Sequence, residues 1–243
     1  MIQVGCCGFP VKRSLYYETF PVVEIQQTFY QLPRMITAGR WREEAPSGFE
    51  FTMKAWQLIT HEPSNPTYRR LKMAIPEEKK KNYGFFKRTE EIEVAWAKTA
   101  EFARALGARI IVFQSPSSFF PSDDHIRNIK GFFHNIDRNS FTLIWEPRGK
   151  WDREQVESIC MESGVIPCLD PFGEARARGD LLHLRLHGRR GYHYTYAEAE
   201  LKKLIETGKE YHKAYFMFNN TNMYEDACRL RKFLEGAEDP LSA

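Results

Sequence analysis

The chain has 243 residues, 42% of them hydrophobic and 28% charged, a balance that excludes a disordered or low-complexity protein and suits one large core. Lys and Arg number 35 against 32 Asp and Glu, and the resulting +3 is too small by itself to argue for nucleic-acid binding. The five cysteines form no zinc-like spacing and read as reduced thiols rather than a disulfide framework.

Met1 leads almost directly into a strand, so no signal peptide is expected. No apolar run is long enough to span a bilayer, and the expected compartment is the cytoplasm. The first strand-like run is Ile2–Cys7. The Gly5-Cys6-Cys7-Gly8-Phe9 stretch at its end lacks the spacing of a dinucleotide-binding turn. Val22–Gln26 and Phe49–Lys54 are the second and third runs. About 35 residues then separate Lys54 from Thr89, far more than an ordinary strand-to-helix loop. This stretch carries Arg69-Arg70 with Lys72, Lys79-Lys80-Lys81 and Tyr83-Gly84-Phe85-Phe86, and it is expected to act as a lid or substrate-binding excursion.

A clear amphipathic helix follows over Thr89–Leu106, with Ile92, Ala95, Trp96, Thr99, Phe102, Ala103 and Leu106 on one face and Gly107 placed to end it. The remaining strand runs are Arg109–Gln114, Phe141–Glu146, Val165–Asp170, Leu181–His187 and Ala214–Asn219. Helical patterns over Trp151–Ser163, Tyr196–Thr207 and Thr221–Leu234 fall among them. Eight strands alternating with helices predict an α/β fold, a single (β/α)8 TIM-like barrel over residues 1–243 with a long excursion after strand three.

Side chains alternate faces along a strand. In Leu182-His183-Leu184-Arg185-Leu186-His187 the leucines share one face, and His183, Arg185 and His187 share the other. Both faces cannot be ordinary core, because a buried unpaired charge is costly. The same parity turns Glu24 and Gln26 inward from strand two, and Thr52 and Lys54 from strand three. It does so for Gln114 from strand four, Glu146 with Arg148 from strand five, and Asp170 from strand six. Strand eight contributes Asn219. Most of these lie at C-terminal strand ends, the catalytic face of such barrels.

Glu146, Glu24 and Asp170 are the expected acid-base groups, since crowded carboxylates in a dry site separate their pKa values. Lys54, Arg148 and Arg185 would neutralise or polarise an anion. Three potential cations on one face argue against a metal, and no His-Glu pair has ligand spacing; no cofactor is expected. His187-Gly188-Arg189-Arg190-Gly191 after strand seven and Asn219-Asn220-Thr221 before the last helix read as a phosphate cradle, with His187, Arg189, Asn219 and Asn220 as contacts. Tyr83 and Phe85 on the excursion could stack on a base.

These residues also carry a family likeness. Val23-Glu24-Ile25-Gln26-Gln27-Thr28-Phe29-Tyr30-Gln31-Leu32-Pro33, Phe51-Thr52-Met53-Lys54 and Ile59-Thr60-His61 belong to it. So do Glu146-Pro147-Arg148 with Trp151, Arg185-Leu186-His187-Gly188 and Phe218-Asn219-Asn220. Over nearly its whole length the chain resembles the YecE-like family, domain of unknown function 72. The resemblance implies a TIM-like barrel and a distant kinship of fold with endonuclease IV-like and xylose isomerase-like barrels. Cys7-Gly8-Phe9 stands where the family usually has a Ser-Gly-Trp-like turn, and Gln26-Gln27 replaces its usual Asn-Ser.

The expected function is a hydrolase or lyase acting on a phosphate-bearing substrate, such as damaged DNA or a nucleotide-sugar bond, by carboxylate acid-base catalysis. One alternative uses Lys54 as a Schiff-base nucleophile. Another is a non-catalytic module that binds nucleic acid or a phosphorylated ligand. The expected partner is a phosphate-bearing small molecule or nucleic acid, with no membrane, and the oligomeric state is left open.

Overall fold

The computed structural model describes residues 1–138, 140–168, 172, 179–189 and 191–237. Eight parallel strands form one sheet, a nearly closed barrel with helices between the strands. The strands are β1 (Ile2–Cys7), β2 (Val22–Ile25), β3 (Glu50–Lys54), β4 (Ile110–Ser115), β5 (Thr142–Pro147), β6 (Ile166–Pro167), β7 (Leu181–Leu186) and β8 (Lys213–Phe218). Their order in the sheet is β6-β5-β4-β3-β2-β1-β8-β7. The helices are α1 (Arg13–Thr19), α2 (Gln27–Tyr30), α3 (Met35–Glu44), α4 (Gln57–Thr60), α5 (Glu90–Leu106), α6 (Asp123–Asn135), α7 (Arg153–Ser163), α8 (Glu198–Lys209) and α9 (Met223–Ala237). The α/β barrel expected from strand-helix alternation is the observed architecture.

Sequence chemistry accounts for the helix limits. The Thr89 hydroxyl caps α5 by accepting from Ile92 N–H, and Gly107 ends it with φ of +72°, a left-handed conformation that costs glycine little. Ser122 and Asp152 cap α6 and α7 in the same way. Strand two stops one residue earlier than expected. Gln26 is helical, with φ −88° and ψ −31°, so it opens α2 instead of continuing the inward face of β2. Among the described residues of the sixth run, Ile166 and Pro167 are the ones paired, and Asp170 lies outside the described residues.

By contacts the chain divides into two compact units. The first comprises Met1–Glu24, Pro46–Glu50 and Cys168–Ala243. Its core packs Phe216 of β8 toward α8 and Phe218 against Tyr196, so Tyr215 and Met217 turn away from the helices. Tyr16 of α1 is fully buried and ties β1 to β2. Its hydroxyl donates to Val22 O (2.9 Å) and accepts from Cys6 N–H (2.7 Å).

The second unit comprises Ile25–Ala45 and Phe51–Pro167. Its core is aromatic. Phe86 lies within 5.3–6.2 Å of Phe113, Phe119, Phe132 and Phe133, and Trp145 meets Trp151 edge-on at 5.0 Å. The excursion after β3 contains α4 and two 3₁₀ turns, Pro66–Arg70 and Glu77–Asn82. It is stitched back on itself by Gly84 N–H to Leu58 O (2.9 Å), Phe85 N–H to Thr60 O (3.2 Å) and Phe86 N–H to Ile59 O (2.9 Å). Gly84 is required there. Its φ is +80°, and a Cβ would stand 2.6 Å from the His61 and Glu62 backbone.

Candidate functional site

Each unit gathers its own cluster of the polar residues expected on the strands. In the first unit, Glu24 is completely buried and accepts from Arg185 Nε at 2.9 Å. The Cys7 thiol donates to the same Glu24 Oε1 at 3.5 Å, and an Arg185 terminal nitrogen reaches Cys7 Sγ at 3.7 Å. Burial, and then the Glu24 charge, push the Cys7 thiol well above its ordinary pKa, so it stays protonated. His183 Nε2 lies 3.7 Å from Glu24 Oε2, and its ring faces Tyr215 at 5.9 Å. Tyr215 donates to Glu50 Oε2 at 2.5 Å, and Lys213 donates to Glu50 Oε1 at 2.7 Å. Polar groups therefore run along the inner face of β7 and β8, from Glu50 to Glu24 and Arg185.

The loops after β7 and β8 show how their side chains are used. Asn219 Nδ2 and His187 Nδ1 are 3.0 Å apart. Arg189 lies over Phe172 at 5.2 Å and pairs with Glu200 at 3.3 Å. Asn220 is buried and donates both to Tyr194 O and to Asp226 Oδ2, each at 2.7 Å. The Thr221 N–H, one of the groups expected to face an anion, donates to Tyr192 O (2.6 Å). Arg189 and Asn220 are thus engaged in holding the turns, and Arg190 lies outside the described residues.

In the second unit, Lys54 ends β3 and is 5% exposed. Its ammonium donates to Gln114 Oε1 at 2.6 Å and sits 3.8 Å from the Phe29 ring centroid, a cation–π contact. The Thr28 hydroxyl donates to Lys54 O at 2.7 Å, so α2 is fixed to the end of β3. His61 is buried edge-on to Phe29 at 4.8 Å, with Nδ1 2.8 Å from the Thr60 hydroxyl. Burial, then the Lys54 charge, lower the His61 pKa to about 3, so its imidazole is neutral at physiological pH. On β5, Glu146 stands in register with Gln114 of β4, and an Arg148 terminal nitrogen lies 2.8 Å from Glu146 Oε1.

Phe29 and His61 were not singled out by parity, which says nothing about residues beyond the strand ends. Their signals were the family motifs at residues 23–33 for Phe29 and Ile59-Thr60-His61 for His61. Tyr83 differs from the expected stacking residue. It is buried and borders a cavity of about 200 Å³ with Trp56, Leu58, Glu91 and Val94, on the α5 side. Phe85 packs on Phe119 and His125. A larger groove of about 620 Å³ opens in the first unit among Met1, Tyr17, Phe20, Lys209 and Leu234, and none of the expected site residues lines it. Among the described residues, no group of three or more His, Cys, Asp or Glu is disposed to hold a metal ion. Among them too, no helix is long and apolar enough to cross a membrane.

Solved structures with the same architecture include two proteins of one family. A DUF72 family protein of Thermotoga maritima is 21% identical, with 97% of this chain and 99% of that chain covered and a TM-score of 0.70. A DUF72 family protein of Enterococcus faecalis is 20% identical, with 97% and 98% covered and a TM-score of 0.71. Endonuclease IV of Thermus thermophilus is similar in fold, at 13% identity, 93% and 92% coverage and a TM-score of 0.53. No curated protein matches the chain. The model of DUF72, a protein family of unknown function, matches residues 11–239, and the chain belongs to that family.

Proposed function

We propose that the protein is a hydrolase or lyase acting on a phosphate-bearing substrate, in which Lys54 and Arg148 engage the anion and Glu146 moves the proton. The observation that carries this reading is the setting of Lys54. A nearly buried ammonium, over an aromatic face and against an amide oxygen, is kept in surroundings that suit a cation. The neighbouring His61 is held neutral and so adds no competing charge. In dry surroundings such a cation interacts strongly with a phosphate or a developing oxyanion. Glu146, nearly buried beside Arg148, supplies a carboxylate able to accept a proton from water or from carbon. Glu24, locked against Arg185, is given no part in proton transfer.

The Schiff-base alternative needs an unprotonated Lys54 amine, which the Phe29 and Gln114 contacts oppose. The two readings separate experimentally. Lesion-bearing oligonucleotides, nucleotide sugars and sugar phosphates are incubated with wild type, Glu146→Gln and Lys54→Met proteins, with and without borohydride. Glu146→Gln is expected to lose at least about a hundredfold in turnover while KM changes little. Lys54→Met is expected to raise KM, and borohydride to trap no adduct. A trapped adduct at Lys54 would move the chemistry to the Schiff base. Full turnover in Glu146→Gln would overturn the assignment of the base, and binding without turnover in any arm would make the protein a binding module.

A further inference from the structure

We propose that an exposed basic ridge built from residues 30–34 and 66–72 binds the phosphate backbone of a nucleic acid. It rests on the preceding reading for one point only, that the Lys54 site takes a phosphate-bearing ligand. Residues 27–42 and 63–76 contain six basic side chains and no acidic one. Two of the six are engaged locally, Arg40 with Glu44 and Arg42 with Ala45 O and the Phe51 ring. The other four, Arg34, Arg69, Arg70 and Lys72, are exposed, and among the described residues none of them forms an ion pair. Elsewhere on the excursion Lys79 pairs with Glu91, Lys80 with Glu77 and Lys87 with Glu62, while Lys81 and Arg88 form no ion pair among the described residues. Four unmatched cations thus fall within two short segments that carry no acidic residue.

The two segments are held together by contacts that leave the charges outward. Arg70 lies 3.5 Å from the Tyr30 ring centroid, and Lys72 N–H donates to Gln31 Oε1 at 3.1 Å. The first 3₁₀ turn is capped by Asn65, which accepts from Thr67 N–H at 3.1 Å, and Tyr68 donates to His61 O at 2.7 Å. A guanidinium stacked on a ring keeps its donor edge free and pre-oriented for a phosphate fork. The ridge is also continuous with the Lys54 cluster. Tyr30 packs on Phe29 at 5.0 Å, and Phe29 carries the Lys54 ammonium on its face. A ligand bearing one phosphate would be served by Lys54 and Arg148. A row of exposed cations leading away from Lys54 suits a ligand whose phosphates repeat.

Fluorescence anisotropy with labelled single-stranded and duplex oligonucleotides over a salt series tests this, using Glu146→Gln protein so that cleavage does not interfere. The parent should bind with a steep salt dependence. Arg69→Ala/Arg70→Ala/Lys72→Ala is expected to bind at least about tenfold more weakly at low salt, with the log–log slope flattened by about 2–3. Arg69→Lys/Arg70→Lys, which keeps the charge, should retain most of the affinity, and urea midpoints should show that both variants fold. No binding by the parent, or an unchanged slope in the triple variant, would overturn the proposal. Anionic vesicles bound as tightly as oligonucleotides would overturn it too. Salt-dependent binding with no turnover of any substrate would refute the catalytic reading and leave the ridge standing.

Discussion

Replacing Arg185 by methionine removes one half of an ion pair that water does not reach. Glu24 is 0% exposed and the Arg185 side chain 1%, with Nε 2.9 Å from Oε1. The variant removes the guanidinium from Glu24, and the Cys7 thiol beside it is itself neutral and a weak donor. Breaking a buried pair from one side costs about 3–5 kcal/mol. For a chain of this size that corresponds to a Tm about 6–20 °C lower. Glu24→Gln should cost a comparable amount by leaving a guanidinium uncompensated. Removing both charges together restores electrical balance, so Glu24→Gln/Arg185→Met should cost clearly less than the two single changes combined. Urea denaturation of the four proteins at one pH measures the cycle. A single-variant loss below about 1 kcal/mol, or strict additivity in the cycle, would show that water or other groups solvate the pair and that the buried-charge reasoning is wrong.

Three further predictions follow from other contacts. The His61 pKa lies near 3 when folded and about 6.5 when unfolded, so between these values the unfolded chain binds more protons and stability falls as pH drops from 6.5 toward 3. His61→Gln should flatten that slope in urea midpoints, and an identical slope in the variant would remove His61 from the acid response. Gly84→Ala places a Cβ against backbone at a left-handed φ and should destabilise by more than about 1 kcal/mol, with earlier cleavage of the excursion in limited proteolysis. Asn220→Asp would set a second carboxylate beside the buried Asp226, so it should unfold the protein at lower urea than Asn220→Ala does, whereas equal losses would mean that the turn is solvated.

The barrel was legible because strand alternation is written in adjacent residues. Leu182, Leu184 and Leu186 alternate with His183 and Arg185, and in the structure His183 and Arg185 both meet Glu24. The end of α5 was legible for the same local reason, in Gly107. What sequence could not supply was partnership between elements distant in the chain. Glu24 and Arg185 both read as polar and inward, but their closure into a fully buried pair with Cys7 depends on β1, β2 and β7 lying on one wall. Gln26 was misread because a strand pattern does not show where pairing ends and α2 begins. Helix α3 went unread because it buries only Ala38 and Trp41, too few apolar positions to make a period. Asn220, expected as a ligand contact, bonds Tyr194 O and Asp226, a partnership that a polar residue before a helix does not announce in sequence.

The close approach of Gly84 to His61 and Glu62 means that the two ends of the excursion already touch. Residues between Glu62 and Gly84 are thus a closed handle on the second unit, and changing the handle's length leaves the distance between its ends unaltered. Loop-closure entropy grows slowly with length, about 0.6 kcal/mol for each doubling. A handle of this kind can change length at its exposed positions with small effect on folding, while Tyr83 at its end and Phe86 just outside it stay committed to the core. Arg69, Arg70 and Lys72 lie on this handle. Ligand preference could diverge between relatives without disturbing the barrel beneath.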